Sequence, residues 1–270
     1  MRRIIACVGT AAAPGTTTVA VQLAYNFAEK ANVDTAIVDF DLDGSPLAEI
    51  FGVNNTGAMS SLWDMAQIGE LTEEAMSLAL QTAGEHLRVV TGFRNLELGP
   101  GFTVSKAQRV ISGIANRMDI TILDVGRPRP WSALEFLKQV DVICWVVTPT
   151  PEGAAAWARM WPLFEGRGLS RNRMVAVVNK YDHPNSLLNF VPEFAQHSGI
   201  RVVAKVPYLP KTDSEHLYKP RGSRLAPKGE REAFHAYDDF LQQVLEGVKR
   251  FGPDRLSSAS VLQLPEERTE

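Results

Sequence analysis

The strongest constraint on the fold is a rhythm. Short apolar, β-branched runs alternate along almost the whole chain with longer segments of helical periodicity. The predicted strands are Arg3–Val8, Thr35–Phe40, Leu87–Thr91, Asp119–Asp124, Val140–Val147, Arg173–Asn179 and Arg201–Val206. Most are apolar on both faces rather than on one, as expected of a parallel sheet covered by helices on both sides. The predicted helices are Thr17–Lys30, Ser60–Gln67, Thr72–Gln81, Thr103–Arg117, Ala133–Lys138, Gly153–Glu165, Leu187–Gln196 and a long one from Glu230 to Phe251. In the last, Tyr237, Phe240, Leu241, Val244, Leu245, Val248 and Phe251 recur with a 3.6-residue period. Strand–helix alternation predicts right-handed crossovers and an α/β fold: an open, mostly parallel sheet of seven to eight strands with helices on both faces. Residues 1–252 are expected to form one domain and 253–270 a disordered, Ser- and Glu-rich tail.

Bulk properties narrow the class. The chain carries 28 basic and 31 acidic residues, a formal charge of −3, so no global charge draws it to nucleic acid. Its only cysteines, Cys7 and Cys144, sit inside apolar strands, which points to a reducing, cytoplasmic setting rather than a disulfide framework. No run approaches the roughly 18 apolar residues of a membrane span.

Ligands of such sheets bind beyond the carboxyl ends of the strands. The first strand is followed by Gly9-Thr10-Ala11-Ala12-Ala13-Pro14-Gly15-Thr16-Thr17-Thr18 and then by a helix. Small residues let a ligand approach the backbone, and a helix N-terminus offers free N–H groups and a positive dipole end, which together suit a phosphate chain. A small-residue turn with a threonine cap has the same composition. Four further groups sit at strand ends: Asp39, Asp41 and Asp43 after the second strand, Asp124 after a later one, Asn179 after another, and Pro207-Tyr208 after the last. Taken singly, each also serves as a cap or turn residue.

In this order, these features resemble the deviant Walker A ATPases of the MinD/ParA superfamily, a P-loop NTPase group of the SIMIBI class, whose loop reads K-G-G-x-G-K-T-T. Ala11 falls at the signature lysine, Ala12 and Ala13 at the two glycines and Pro14 at the variable position. Gly15 is retained, Thr16 replaces the P-loop lysine, and Thr17 and Thr18 match the closing threonines. The resemblance implies that ATP or ADP binds across Ala11–Thr18, with Asn179, Pro207 and Tyr208 at the base. It implies Mg²⁺ held by Thr17, Asp39 and Asp124, partly through water, and a water-positioning role for Asp41. It also implies a homodimer.

Both lysine positions are uncharged. Losing one charged donor to a phosphoryl-transfer transition state costs roughly 3 kcal/mol, so hydrolysis is expected to be weak or absent. Arg127 and Arg129, in Val125-Gly126-Arg127-Pro128-Arg129-Pro130, are candidate replacements for the missing charge. Lysine-depleted loops are similar to the CpaE/TadZ-like branch, which implies an organiser that positions pilus or secretion machinery at a pole or membrane-associated assembly. Two other readings stand beside it: an active ParA-like ATPase of DNA partitioning, and a nucleotide-free scaffold. The segment 201–231 holds eight basic and three acidic residues, a net +5 against −8 elsewhere, and is the candidate for salt-sensitive, non-specific DNA contact. The acidic C-terminus lacks the basic amphipathic helix of direct membrane targeting. Trp157 and Trp161, one helical turn apart, are expected in core or dimer packing.

Overall fold

The structure is a computed structural model and describes residues 2–10, 14–42, 44, 46–93, 103–127, 131–208 and 228–250. Eight strands form one sheet: β1 (Arg3–Gly9), β2 (Thr35–Asp39), β3 (Gln81–Thr82), β4 (Leu87–Val90), β5 (Ile120–Asp124), β6 (Val142–Val147), β7 (Met174–Asn179) and β8 (Arg201–Val206). Their spatial order is β3-β4-β2-β5-β1-β6-β7-β8, parallel throughout except for β3, which pairs antiparallel with β4. This is the expected open α/β sheet.

Each central strand carries apolar side chains on both faces because it feeds two cores. Ala6 and Val8 of β1 join Leu123 of β5 and Trp145 of β6 on one face. That face is covered by α3 (Ala58–Ile68), α4 (Glu73–Ala79), α5 (Val104–Ala115), α6 (Pro151–Glu165) and α7 (Phe190–Ser198). Ile5, Cys7, Ile122 and Cys144 turn to the other face. There they meet α1 (Thr16–Tyr25), α2 (Leu47–Phe51), α8 (Lys228–His235) and α9 (Asp238–Arg250). Alternation along a strand sends neighbouring side chains to opposite faces, so both must be apolar.

Several expectations need correction. The C-terminal helix is two helices, broken at Ala236–Tyr237. Tyr237 is fully buried and its hydroxyl donates to Gln22 Oε1 at 2.7 Å, while Asp238 and Asp239 open the new first turn, where acidic side chains favour the dipole. Gln81 does not end α4 but begins the short edge strand β3, and its side-chain amide donates to the Asn54 carbonyl at 2.8 Å. The segment expected as a helix at Ala133–Lys138 winds as a 3₁₀ helix over Trp131–Gln139. The first helix ends in a wide π-turn, Asn26–Lys30, with Ala31 N–H donating to Asn26 O. The five-residue α2 went unpredicted; its length is below what periodicity detects. The expected tail, 253–270, lies outside the described residues, as does most of the basic segment, 209–227.

Candidate nucleotide site

The site forms where β1, β2 and β5 end. In the sheet register Asp39 faces Asp124, and Asp124 faces Cys7. Register partners in a parallel sheet point to the same face, here the α1 side, about 5 Å apart. Asp39 is 3% exposed and Asp124 0%. Two buried carboxylates side by side repel unless a cation or proton joins them. Asp39 Oδ1 accepts the Asp41 N–H at 3.2 Å, and Asp124 O accepts the Phe40 N–H at 2.8 Å. These bonds hold the end of β2 against the end of β5.

Two glycines permit this approach. A Cβ on Gly92 would stand 2.5 Å from Asp39 Oδ2, and one on Gly126 would stand 2.0 Å from Asp41 Oδ2. Gly126 also has φ +57°, a left-handed conformation that L side chains adopt at a cost. Its carbonyl accepts the Gly9 N–H at 2.8 Å, which fastens the end of β5 to the start of the loop after β1.

On the loop's far side, Pro14 is buried and Gly15 precedes α1 in a left-handed conformation, φ 86° and ψ 35°. No side chain caps α1, so its first N–H groups are open to an anion. Thr16 is 5% exposed, and among the described residues its hydroxyl has no hydrogen-bond partner. That hydroxyl packs against Gly9, where an added Cβ would come within 2.5 Å of it. Thr17 and Thr18 are partly buried in the first turn, while Ala11, Ala12 and Ala13 lie outside the described residues.

Asn179 is drawn to the loop itself. Its amide donates from Nδ2 to Pro14 O at 2.7 Å, and its Oδ1 accepts the Lys180 N–H at 3.0 Å. A Cβ on Gly15 would lie 2.3 Å from that Nδ2. Asn179 therefore ties β7 to the loop, a role its position at a strand end did not announce. Tyr208 lies beside the loop after β7: its N–H donates to Asp182 Oδ1, and its ring meets His183 with centroids 4.6 Å apart. Pro207 precedes it directly after β8. Sequence reasoning missed Gly92, Asp182 and His183, and it named Gly9 and Gly126 only as members of their segments. The glycines had a readable signal, since each follows or closes a strand run.

The donor set fits the groups expected here. Hard carboxylate oxygens beside a hydroxyl-lined helix start suit Mg²⁺ bridging a phosphate. Among the described residues no cluster of three or more His, Cys, Asp or Glu stands ready to hold a metal alone, so a cation needs the Thr17 hydroxyl, water or phosphate oxygens as further ligands.

The strand order, the loop after β1 and the paired carboxylates define a P-loop α/β architecture, and the chain has the fold of the MinD/ParA ATPases. It is similar to a ParA family ATPase from Chlorobium tepidum TLS, with TM-score 0.70 and 14% identity over 91% of this chain and 99% of that one. It is likewise similar to the cell division ATPase MinD of Pyrococcus furiosus, at 0.68 and 20% over 90% and 99%. The septum site-determining protein MinD of Pyrococcus horikoshii OT3, complexed with Mg-ADP, matches at 0.68 and 20% over 92% and 99%. No protein-family model and no curated protein matches the chain. Among the described residues, no helix is long and apolar enough to cross a membrane.

Proposed function

We propose that residues 1–252 act as a single MinD/ParA-like nucleotide-binding domain that takes ATP or ADP with Mg²⁺ at the end of β1. The observation that carries this is the meeting of an uncapped helix start with the buried Asp39–Asp124 pair. Residues 11–18 and the N–H groups opening α1 would surround the phosphates. Thr17, Asp39 and Asp124 would hold the cation, which lends positive charge to the phosphate oxygens. Asn179, Pro207 and Tyr208 would contact the base, and Asp41 would orient a water.

With Ala11 and Thr16 in place of lysines, hydrolysis is weak or absent. The protein then works as a nucleotide-dependent homodimer that positions or recruits a larger assembly, such as pilus or secretion machinery of the CpaE/TadZ-like kind. On this reading it is cytoplasmic and reaches a pole or membrane site through partners. The net charge of +5 over residues 201–231 favours one second reading, a ParA-like protein that also contacts DNA non-specifically.

Titration calorimetry with Mg-ATP and Mg-ADP, phosphate release and light scattering test this together. Micromolar binding, a mass that doubles with ATP and turnover near background support it. Absence of binding at millimolar nucleotide leaves the nucleotide-free scaffold. Brisk turnover selects the active ATPase.

A further inference from the structure

We propose that the Arg127 guanidinium binds the nucleotide's phosphates and supplies the positive charge that Ala11 and Thr16 do not. This inference rests on the nucleotide reading above. The phosphate-facing part of the site is rich in negative charge: Asp39 and Asp124 are buried, and Asp41 lies against Gly126. A helix N-terminus contributes only about half a positive charge against a di- or triphosphate.

Arg127 is the first residue past Gly126, the residue whose carbonyl holds the Gly9 N–H and whose left-handed turn sets the direction of the chain. Its backbone is thus anchored at the mouth of the loop. Its side chain is half-buried, and its Nε is buried with no hydrogen-bond partner among the described residues. No ion pair at those residues involves it either. The contrast with other arginines is plain: Arg3 pairs with Asp141, Arg117 with Glu73 and Arg171 with Glu165, while Arg88 and Arg173 donate to backbone carbonyls.

A guanidinium N–H that is buried without an acceptor costs free energy that an arriving anion would recover. The planar fork of N–H donors matches phosphate oxygens two at a time. A phosphate held at the start of α1 would bring such an anion close to Gly126, since the Gly126 carbonyl and the Thr16 hydroxyl both pack against Gly9. Arg129, the other candidate of the sequence, lies outside the described residues.

The test is calorimetric, on the full chain, with Mg-ATP and with inorganic triphosphate as a probe lacking the base. Arg127→Gln keeps bulk and hydrogen-bonding capacity, so folding is retained, and a thermal melt checks it. Arg127→Lys keeps the charge without the fork, and Arg171→Ala controls for loss of a remote positive charge. R127Q should weaken both ligands by roughly ten- to a hundredfold, R127K should fall between it and wild type, and R171A should match wild type. R127Q binding Mg-ATP within twofold of wild type overturns the inference and leaves the nucleotide reading standing. Loss of ATP affinity with triphosphate affinity unchanged overturns it as well. A wild-type protein that binds neither ligand at millimolar concentration removes both.

Discussion

At the scale of single residues, the site depends on places where a side chain is missing. Gly126 combines a φ of +57° with the Asp41 carboxylate 2.0 Å from where a Cβ would stand. Gly126→Ala must either displace Asp41 or unwind the turn that accepts the Gly9 N–H. The left-handed conformation alone costs an L residue about 1–2 kcal/mol, and the collision adds to it. The expected outcome is a melting temperature lower by at least roughly 2 °C together with weaker Mg-ATP binding, read by calorimetry and thermal scanning. An unchanged melt would mean that the Asp41–Gly126 contact is not held in solution. Gly15 follows the same logic from the other side, where Asn179 fills the space that a Cβ would take.

At the scale of elements, β6 is the pillar between the loop strand and the β7–β8 edge. Its Trp145 is fully buried, with Phe164 of α6 at 4.2 Å and Trp157 at 5.7 Å between ring centroids. Trp157 also meets Phe194 of α7 at 4.7 Å, which places this helix tryptophan in the core. One strand side chain therefore joins α6 to the sheet, and Trp157 of α6 carries the contact on to α7. Trp145→Ala should cost about 3–5 kcal/mol in urea unfolding, and Trp145→Phe distinctly less, because the cavity left is smaller. Equal losses would show that the indole itself, not the volume it fills, holds α6 in place. The same element shows what a sequence hides. The apolar run of β6 was readable, but the break between α8 and α9 was not. It depends on Tyr237 reaching Gln22, a contact across 215 positions.

For the whole molecule, the row across the sheet at Asp124, Cys7 and Cys144 makes its pH response asymmetric. The hydrogen bond with Cys144, complete burial and the nearby charge of Asp124 push the Cys7 thiol well above its usual 9.0. Burial pushes the Tyr237 phenol well above 10.0. Both groups stay protonated in the fold but ionise in the unfolded chain. Their contribution is therefore complete below the unfolded values and is lost as pH rises beyond them. Stability should hold near neutral pH and fall above about pH 9, on the order of 1 kcal/mol per pH unit for each group once past its unfolded value. Urea midpoints at pH 7, 9 and 10.5 measure this; a flat midpoint would place both groups in contact with water. The native thiols should also resist iodoacetamide until denaturant is added.

The sequence by itself determined the architecture and the address of the site. Strands apolar on both faces are buried on both, and alternation with helices makes the sheet parallel, so its functional groups fall at carboxyl ends. Asp39, Asp124, Asn179 and the Gly15–Thr18 helix start were legible for that reason. What only the tertiary structure decided is who meets whom. Asn179 bonds the loop, Asp41 rests on Gly126, and the buried Nε of Arg127 has no acceptor among the described residues. Those relations join residues more than 80 positions apart, through strand register and through glycines whose role is to leave room. No local pattern encodes a distance of that kind.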